Sequence, residues 1–325
     1  MTEILETPKL VVVFGGSGFV GRHVVRALAM RGYRVRVPCR RPDLAGHLQP
    51  LGNVGQIQPV QANIRVPWSV KRAVEGADHV VNLVGILHES GRQRFTTVHQ
   101  LGAQAIAEAA SSIGAGLTHL SSLGADARSQ SAYARTKALG EQAVFSTVPN
   151  AVVLRPSVIF GPEDGFFNRF AAMARFSPAL PLIGGGKTRF QPVYVADVAE
   201  AVARSVDGAV PGGKVYELGG PNVLTFRECM EELLAVTERK RLLVPMPWWL
   251  ANLMATFVGL LPKPLLTRDQ VTQLRGHNVV SQRAIEEGRT LAGLGITPRS
   301  LGTILPSYLW RFRAAGQFQQ RKPAA

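Results

Sequence analysis

The chain has 325 residues, a length that allows about two domains or one large α/β domain with an added lobe. Hydrophobic residues make up 46% of the sequence and charged residues 18%, which excludes a largely disordered chain. The net charge of +15 favours an anionic partner. The only cysteines are Cys39 and Cys229, which excludes a disulfide framework and a cysteine-rich metal site and indicates a reducing compartment.

The sequence predicts no targeting segment and no membrane span. Glu3 and Glu6 lie in the first ten residues, which contain no apolar run and are unlike a signal or transit peptide. The longest uncharged stretch, Leu242 to Pro262, is interrupted by prolines, and its proline-free part is too short to cross a bilayer. We therefore expect a soluble or peripheral protein on the cytoplasmic side of a membrane.

The first half of the chain alternates between strand and helix patterns. Leu10–Phe14 is a continuous apolar run, typical of a strand buried on both faces, and a helix is predicted over Gly18–Met30. Further strands are predicted over Arg34–Cys39, Gln56–Gln61, His79–Val84, Leu117–Ser121 and Ala151–Leu154, and further helices over Trp68–Glu75, Phe95–Ile113 and Ser131–Phe145. This alternation predicts a doubly wound parallel sheet in the α/β class.

The regular alternation of strand and helix patterns becomes weaker after Arg155. Two helix starts are predicted from capping boxes, one with Asp197 and Glu200 and one with Thr225 and Glu228. Residues 241–325 contain eleven Lys and Arg but three acidic residues, a net charge of +8. We expect this part to form a separate, smaller, basic and mainly helical lobe.

A glycine-rich loop follows the first predicted strand and opens the first helix. Its glycines lie at Gly15, Gly18 and Gly21. Gly15 would permit the tight turn, Gly18 would let the backbone approach a pyrophosphate at the helix N-terminus, and Gly21 would let helix and strand pack closely. In this position the spacing indicates a dinucleotide-binding Rossmann unit.

Two arginines stand where an NAD-binding unit usually has an acidic residue. Arg40 and Arg41 follow the second predicted strand, and the next acidic residue is Asp43. Guanidinium groups bind phosphate well, so the pair favours the 2′-phosphate of NADP(H), and Arg22 is a third candidate. The alternative is that Arg40 and Arg41 form an ordinary solvated surface.

A tyrosine and a lysine four residues apart, Tyr133 and Lys137, lie on one predicted helix face. We expect the charge of Lys137 to lower the pKa of Tyr133 from about 10 towards neutrality, making the phenol a proton donor or acceptor. Ser121 and Ser122 end the preceding strand and are candidates to hydrogen-bond a reacting oxygen.

These motifs, in this order, resemble the short-chain dehydrogenase/reductase superfamily in its extended or atypical branch. The resemblance covers about Leu10 to Thr237 and includes Asn82–Gly85 and Leu154–Ser157. It implies a Rossmann-type domain over residues 1–155 whose core continues to about 240, with substrate-side elements in 156–240. It implies Tyr133, Lys137 and Ser122 as the catalytic set. The cofactor-binding set that it implies is Gly15, Ser17, Gly18, Phe19, Val20, Gly21, Arg22, Arg40, Arg41, Asn63, Ile64, Val84, Gly85, Tyr133, Lys137 and Pro156.

A narrower resemblance lies in Arg155–Phe170 and Gly185–Ala199, which are similar to the NADPH-binding accessory subunit of respiratory complex I and its bacterial relatives. It implies an accessory or assembly subunit with structural NADP(H), bound to complex I subunits on the cytoplasmic face of the inner membrane. Two positions depart from the extended pattern: Asn63 replaces a common Asp, and His99 replaces a substrate-side Asn.

Alternatives remain open. The complete set of Tyr133, Lys137 and Ser122 fits an active NADPH-dependent reductase or nucleotide-sugar epimerase/dehydratase. A regulatory module that senses the cofactor is a third hypothesis. The apolar segment Trp248–Leu261 fits a lipid interface, a docking helix or a core helix, and the basic charge fits an anionic membrane surface. No metal-ligand spacing and no nucleic-acid-binding motif is present.

Overall fold

The structure is a computed structural model that describes residues 8–259, 264 and 266–314. Its strands, in chain order, are β1 (Leu10–Phe14), β2 (Arg34–Cys39), β3 (Ile57–Gln61), β4 (His79–Asn82), β5 (Gly116–Leu120), β6 (Val152–Pro156), β7 (Ile159–Phe160), β8 (Ala179–Ile183), β9 (Arg189–Phe190), β10 (Val193–Tyr194), β11 (Lys214–Leu218), β12 (Leu224–Thr225) and β13 (Leu242–Met246). The central sheet is parallel with the order β11-β6-β5-β4-β1-β2-β3. Two-stranded pairs join β7 with β10, β9 with β12, and β8 with β13.

The α-helices are α1 (Phe19–Met30), α2 (Pro67–Val74), α3 (Gly102–Ser112), α4 (Ala132–Thr147), α5 (Phe167–Phe176), α6 (Val195–Val206), α7 (Phe226–Thr237), α8 (Trp248–Val258), α9 (Arg268–Gln273), α10 (Gln282–Glu286) and α11 (Leu301–Leu309). Short 3₁₀ segments cover Pro42–Leu51, Gly184–Gly186 and Trp310–Phe312. Helices α1 and α6 pack on one face of the central sheet, and α2 and α3 pack on the other. The predicted doubly wound α/β fold is confirmed.

One predicted helix differs in a way that bears on the site. The pattern over Phe95–Ile113 predicts a single α-helix, but residues Thr96–Leu101 form a π-helical turn before α3 begins. A Cβ at Gly140 of α4 would lie 2.3 Å from the carbonyl oxygen of His99, so α4 approaches this turn closely. Single π-helical turns often occur at functional sites.

Of the two predicted capping boxes, the one at Thr225 is confirmed and the one at Asp197 is wrong. Thr225 caps α7: its hydroxyl accepts from the Glu228 amide at 3.2 Å, while the Glu228 carboxylate accepts from the Thr225 amide at 2.6 Å. The box at Asp197 is wrong, because α6 already begins at Val195. Asp197 is instead buried and accepts a hydrogen bond from the Arg299 amide at 2.8 Å, a long-range contact that local spacing does not reveal.

The described residues of the C-terminal segment, 241–259, 264 and 266–314, do not pack as one separate lobe. Leu291 and Ile296 belong to the apolar cluster under α1 and α6, and Leu305 packs with α5 and α7. Ala251 of α8 forms a smaller cluster with α9. The segment therefore completes several cores at once. Over the described part of the chain, no helix has both the length and the apolar character needed to cross a membrane.

Candidate functional site

The glycine loop forms the tight turn that the sequence predicts. Gly15 has a φ of +80°, and a Cβ there would lie 3.1 Å from the Leu83 carbonyl carbon. A Cβ at Gly21 would lie 2.1 Å from the Gly15 carbonyl oxygen, so α1 packs against the loop. Phe19 and Val20 in the first turn of α1 are half-buried, and Ser17 and Gly18 lie at its entry. Larger residues would not fit at Gly15 or Gly21 without moving the backbone.

The three predicted phosphate-binding arginines have different surroundings. Arg41 is paired with Asp43 at 2.7 Å, and its side chain is 68% exposed. Arg22 is paired with Glu163 at 3.2 Å. Arg40 has no ion pair within the described ranges and lines a cavity of about 670 Å³ at the edge of the sheet. Arg40 is therefore the arginine that is best placed to bind a phosphate.

The same cavity brings together the ends of β2 and β3. Asn63 lines it beside Arg40, as do Trp68 and Arg72 of α2. Asn63 Oδ1 accepts a hydrogen bond from the Arg65 amide at 3.1 Å, which holds the turn after β3. Ile64 packs on the sheet next to this turn. The cavity thus has a cationic and an amide side chain at the position that the resemblance implies for the adenosine end of a dinucleotide.

Helix α4 carries Tyr133 and Lys137 to the carboxyl end of β5. Ser131 caps the helix by accepting from the Ala134 amide at 3.2 Å. Lys137 Nζ donates to the Leu120 carbonyl oxygen at 2.7 Å, and the side chain is buried. Burial lowers the pKa of Lys137 to about 8.

The expected lowering of the Tyr133 pKa is wrong for this structure. Burial raises the pKa of Tyr133, and the nearby Ser122 hydroxyl opposes that rise only in part. The physical reason is that burial is the largest effect on the phenol, while the Lys137 ammonium donates to the Leu120 carbonyl. The hydroxyls of Ser122 and Tyr133 lie close but do not form a hydrogen bond of standard geometry. Tyr133 is thus held protonated at neutral pH.

Residues 11–219 match the NAD dependent epimerase/dehydratase family. The chain belongs to this family. The mitochondrial NADH dehydrogenase (ubiquinone) 1 alpha subcomplex subunit 9 of Arabidopsis thaliana is 34% identical over 320 residues, which cover 94% of this chain and 79% of that protein. A ceramide reductase of Caulobacter vibrioides is 35% identical over 190 residues, 58% of either chain.

The fold is also shared with solved structures. An NADPH-dependent quinone oxidoreductase from Escherichia coli, solved in complex with NADPH, has a TM-score of 0.72 and 20% identity. The similarity covers 92% of this chain and 99% of that one. At this identity it shows a shared Rossmann-like α/β fold alone.

The side chains between β4, β5 and α4 fit the nicotinamide half of an NAD(P) cofactor. Ser121 Oγ, Ser122 Oγ and His119 Nε2 are buried and have no hydrogen-bond partner among the described residues. Unpaired buried polar atoms are costly, so they indicate a polar ligand or water. A Cβ at Gly85 would lie 3.8 Å from Lys137 Nζ, which leaves room beside the ammonium. Val84 and Pro156 lie at the strand ends that flank this position.

His99 belongs to this constellation, and the sequence predicted only that it departs from the extended pattern. Its Nε2 accepts from the Ile86 amide at 3.1 Å, and its Nδ1 lies 3.1 Å from Thr136 Oγ1. Burial, helped by the charge of Lys137, lowers the pKa of His99 to about 3, so the imidazole is neutral. Its ring meets the Tyr133 ring edge to face at 5.2 Å. His99 thereby fixes the tyrosine and supplies no charge.

No cluster of three or more metal-ligating side chains occurs in the ranges 8–259 and 266–314. The catalytic and cofactor-binding sets implied by the sequence lie along the carboxyl ends of β1 to β6. Within the cofactor-binding set, the guanidinium groups of Arg41 and Arg22 already form ion pairs.

The lowered pKa of Lys137 makes stability depend on pH. The pKa falls from 10.5 to about 8 on folding, so between these values the unfolded chain binds more protons, and stability must rise with pH. The rise amounts to about 3 kcal/mol at most. We expect the difference in unfolding free energy between the parent and Lys137→Met to change by this amount between pH 7 and 10.5. Denaturant titrations measure it, and a pH-independent difference would contradict the burial of a charged Lys137.

Proposed function

We propose that the chain is an NADP(H)-binding accessory or assembly subunit of respiratory complex I. The observation that carries the proposal is the 34% identity to a protein named as a complex I subunit, spread over 94% of the chain. This match extends well beyond residues 11–219, the part that belongs to the dinucleotide-binding family. The similarity therefore includes parts of the C-terminal segment that lie outside the match to the dinucleotide-binding family.

The choice of NADP(H) over NAD(H) rests on Arg40. A guanidinium that lines the cavity with Asn63 and forms no ion pair among the described residues is suited to a 2′-phosphate, although Glu75 lines the same cavity. In this proposal Gly15, Gly18 and Gly21 bind the pyrophosphate, and Lys137 with Gly85 holds the nicotinamide side. NADP(H) would supply hydride chemistry if a substrate were present.

The proposed role of the nucleotide is structural. Tyr133 is kept protonated by burial, and the Lys137 ammonium is held by the Leu120 carbonyl. The raised pKa makes the phenol a weaker proton donor, and the lysine does not offset that rise. A bound nucleotide would instead satisfy the unpaired groups of Ser121, Ser122 and His119 and so stabilise the carboxyl end of β5.

A reductase is the second candidate, and two observations favour it. Tyr133 lies close to Ser122 while Lys137 donates to the end of β5, and a relative over 58% of the chain is named ceramide reductase. This set is the one that proton transfer coupled to hydride transfer would use. Activity with a ketone substrate, lost in Tyr133→Phe, would favour this candidate.

The proposed location is the cytoplasmic face of the inner membrane, as a peripheral protein. Helix α8 packs Ala251 and Ala255 inward and exposes Trp249, Leu253 and Phe257, a stripe that we call the α8 face. Their exposed fractions are 67%, 50% and 67%. Residues 241–325 carry a net charge of +8, which favours binding of this segment next to an anionic membrane surface, where complex I lies.

Of the predicted segment Trp248–Leu261, Leu260 and Leu261 lie outside the described residues, as do residues 315–325.

A pull-down from detergent-solubilised membranes of the host tests the assembly proposal. We expect complex I subunits to co-purify with the tagged chain. We also expect Tyr133→Phe to leave NADPH affinity, thermal stability and complex I activity nearly unchanged, because the phenol would not transfer a proton. Lys137→Met is expected to weaken NADPH binding by about tenfold, since it removes a charged hydrogen-bond donor.

Two results would contradict this proposal. The first is a chain that purifies alone from membranes in which complex I is assembled. The second is a loss of complex I activity in Tyr133→Phe with normal nucleotide occupancy, which would assign an essential reaction to the phenol.

A further inference from the structure

The carboxylate of Asp269 joins the C-terminal segment to the helix that carries Tyr133 and Lys137. Asp269 lies in the first turn of α9. Its Oδ2 accepts from Ser131 Oγ at 2.9 Å, and its Oδ1 accepts from the Ala132 amide at 2.7 Å. More than 130 residues of sequence separate these partners, so the contact exists only in the folded chain.

The contact places a full negative charge on the N-terminus of a long helix. Helix α4 has 16 residues, and its first amides lie at the positive end of the helix dipole. Ser131 donates to Asp269 and at the same time accepts from the Ala134 amide at 3.2 Å. The Asp269 carboxylate thus fixes the side chain of Ser131, the residue that caps α4.

Asp269 is itself held on its own helix. Gln273 Nε2 donates to Asp269 Oδ2 at 2.8 Å. Thr267 and Gln270 form a capping box that fixes the start of α9. Contacts within α9 therefore help to fix the position of the carboxylate, which is what a positioning group requires.

Helix α9 also contacts α8. Val271 of α9 is buried with Ala251 and Ala255 of α8 in one apolar cluster. The opposite side of α8 is the exposed α8 face. A continuous set of contacts thus runs from the α8 face through α9 and Asp269 to the first turn of α4, one turn before Lys137.

We propose that Asp269 is a positioning residue for the nucleotide site and couples that site to the α8 face. Asp269 fixes the first turn of α4 and with it the orientation of Tyr133 and Lys137. By linkage, whatever holds α8 and α9 in place raises nucleotide affinity, and nucleotide binding stabilises α9 by the same factor. This inference rests on the proposed nucleotide binding.

The test compares Asp269→Ala and the milder Asp269→Asn with the parent protein. Glu286→Gln, an exposed carboxylate on α10, is the matched control. Without nucleotide, hydrogen exchange of amides 132–136 is expected to increase about tenfold in Asp269→Ala, and less in Asp269→Asn, because a cap is lost. Glu286→Gln is expected to exchange like the parent.

Nucleotide affinities give a readout that general destabilisation would not produce. We expect Asp269→Ala to weaken NADPH and NADH by the same factor, about five- to tenfold, since α4 serves the half that both cofactors share. NADPH is expected to slow exchange in 268–273 in the parent and in Glu286→Gln, less in Asp269→Asn, and not in Asp269→Ala. Asp269→Asn provides these readouts if Asp269→Ala fails to fold.

Unchanged exchange in 132–136 would overturn the inference, and so would faster exchange with unaltered nucleotide affinity. A parent protein that binds neither NADPH nor NADH would overturn the proposed function together with the coupling. The nucleotide-free exchange data distinguish the two failures, since they report on the α4 cap independently.

Discussion

Replacing Arg40 with alanine is expected to weaken NADPH binding by about 10- to 100-fold and to leave NADH binding nearly unchanged. A hydrogen bond to a charged group contributes about 1.5–3 kcal/mol, and Arg40 lines the cavity at the end of β2 without an ion-pair partner in the described chain. NADH lacks the 2′-phosphate, so it loses nothing. Calorimetric titration of the nucleotide-free protein with both cofactors measures the ratio.

Arg41→Ala is the matched control for Arg40→Ala. Arg41 has the same charge and is the next residue, but Asp43 already binds its guanidinium. We expect its loss to weaken NADPH by a few-fold at most. A parent protein with equal affinity for NADPH and NADH would refute the specificity, and a larger effect of Arg41→Ala would place the phosphate on the other side of the strand end.

The alternation of strands and helices was predictable because it depends on local patterns of apolar and polar residues. Strands buried between two helical layers read as apolar runs, and β1 and β2 have the bounds that their sequences predict. The glycine loop was predictable for the same reason, since its spacing reflects close backbone approaches within one turn and one helix. The capping box at Thr225 is equally local.

Features set by long-range contacts were not predictable. Asp197 has capping-box spacing but is used by Arg299, about one hundred residues away. Lys137 lies one helical turn from Tyr133, but its ammonium donates to the Leu120 carbonyl at the end of β5. The expected lowering of the phenol pKa is therefore absent. Asp269 has no local signal of any kind, since its partners Ser131 and Ala132 lie on α4.

The change in charge and composition after residue 240 predicts a separate C-terminal lobe. If that lobe were independent, truncation after about Arg239 would leave nucleotide binding intact. The packing argues against it. Truncation would remove Leu291 and Ile296 from the main core and Asp269 from α4. Point substitutions on the surface are therefore the appropriate test of membrane association, because they leave these contacts in place.

Replacing Trp249, Leu253 and Phe257 with serine is expected to move the chain from the membrane fraction to the soluble fraction. The three side chains are exposed and lie on one stripe of α8, four residues apart. Burying each against complex I or the lipid interface would contribute about 1.5–3 kcal/mol, an amount that salt does not screen. The parent should therefore resist a high-salt wash and come off in detergent still bound to complex I.

The nucleotide affinity of the purified triple variant, measured without membranes or complex I, should equal that of the parent, because none of the three side chains contributes to the core or to α4. Ile285→Ser is the matched control: Ile285 of α10 is 54% exposed and lies outside the α8 face. Release by moderate salt alone would show that basic charge holds the protein to the membrane. A parent protein wholly in the soluble fraction at low salt, with complex I assembled, would instead mean that the α8 face docks to nothing in the membrane, and the free reductase would become the better account of the chain.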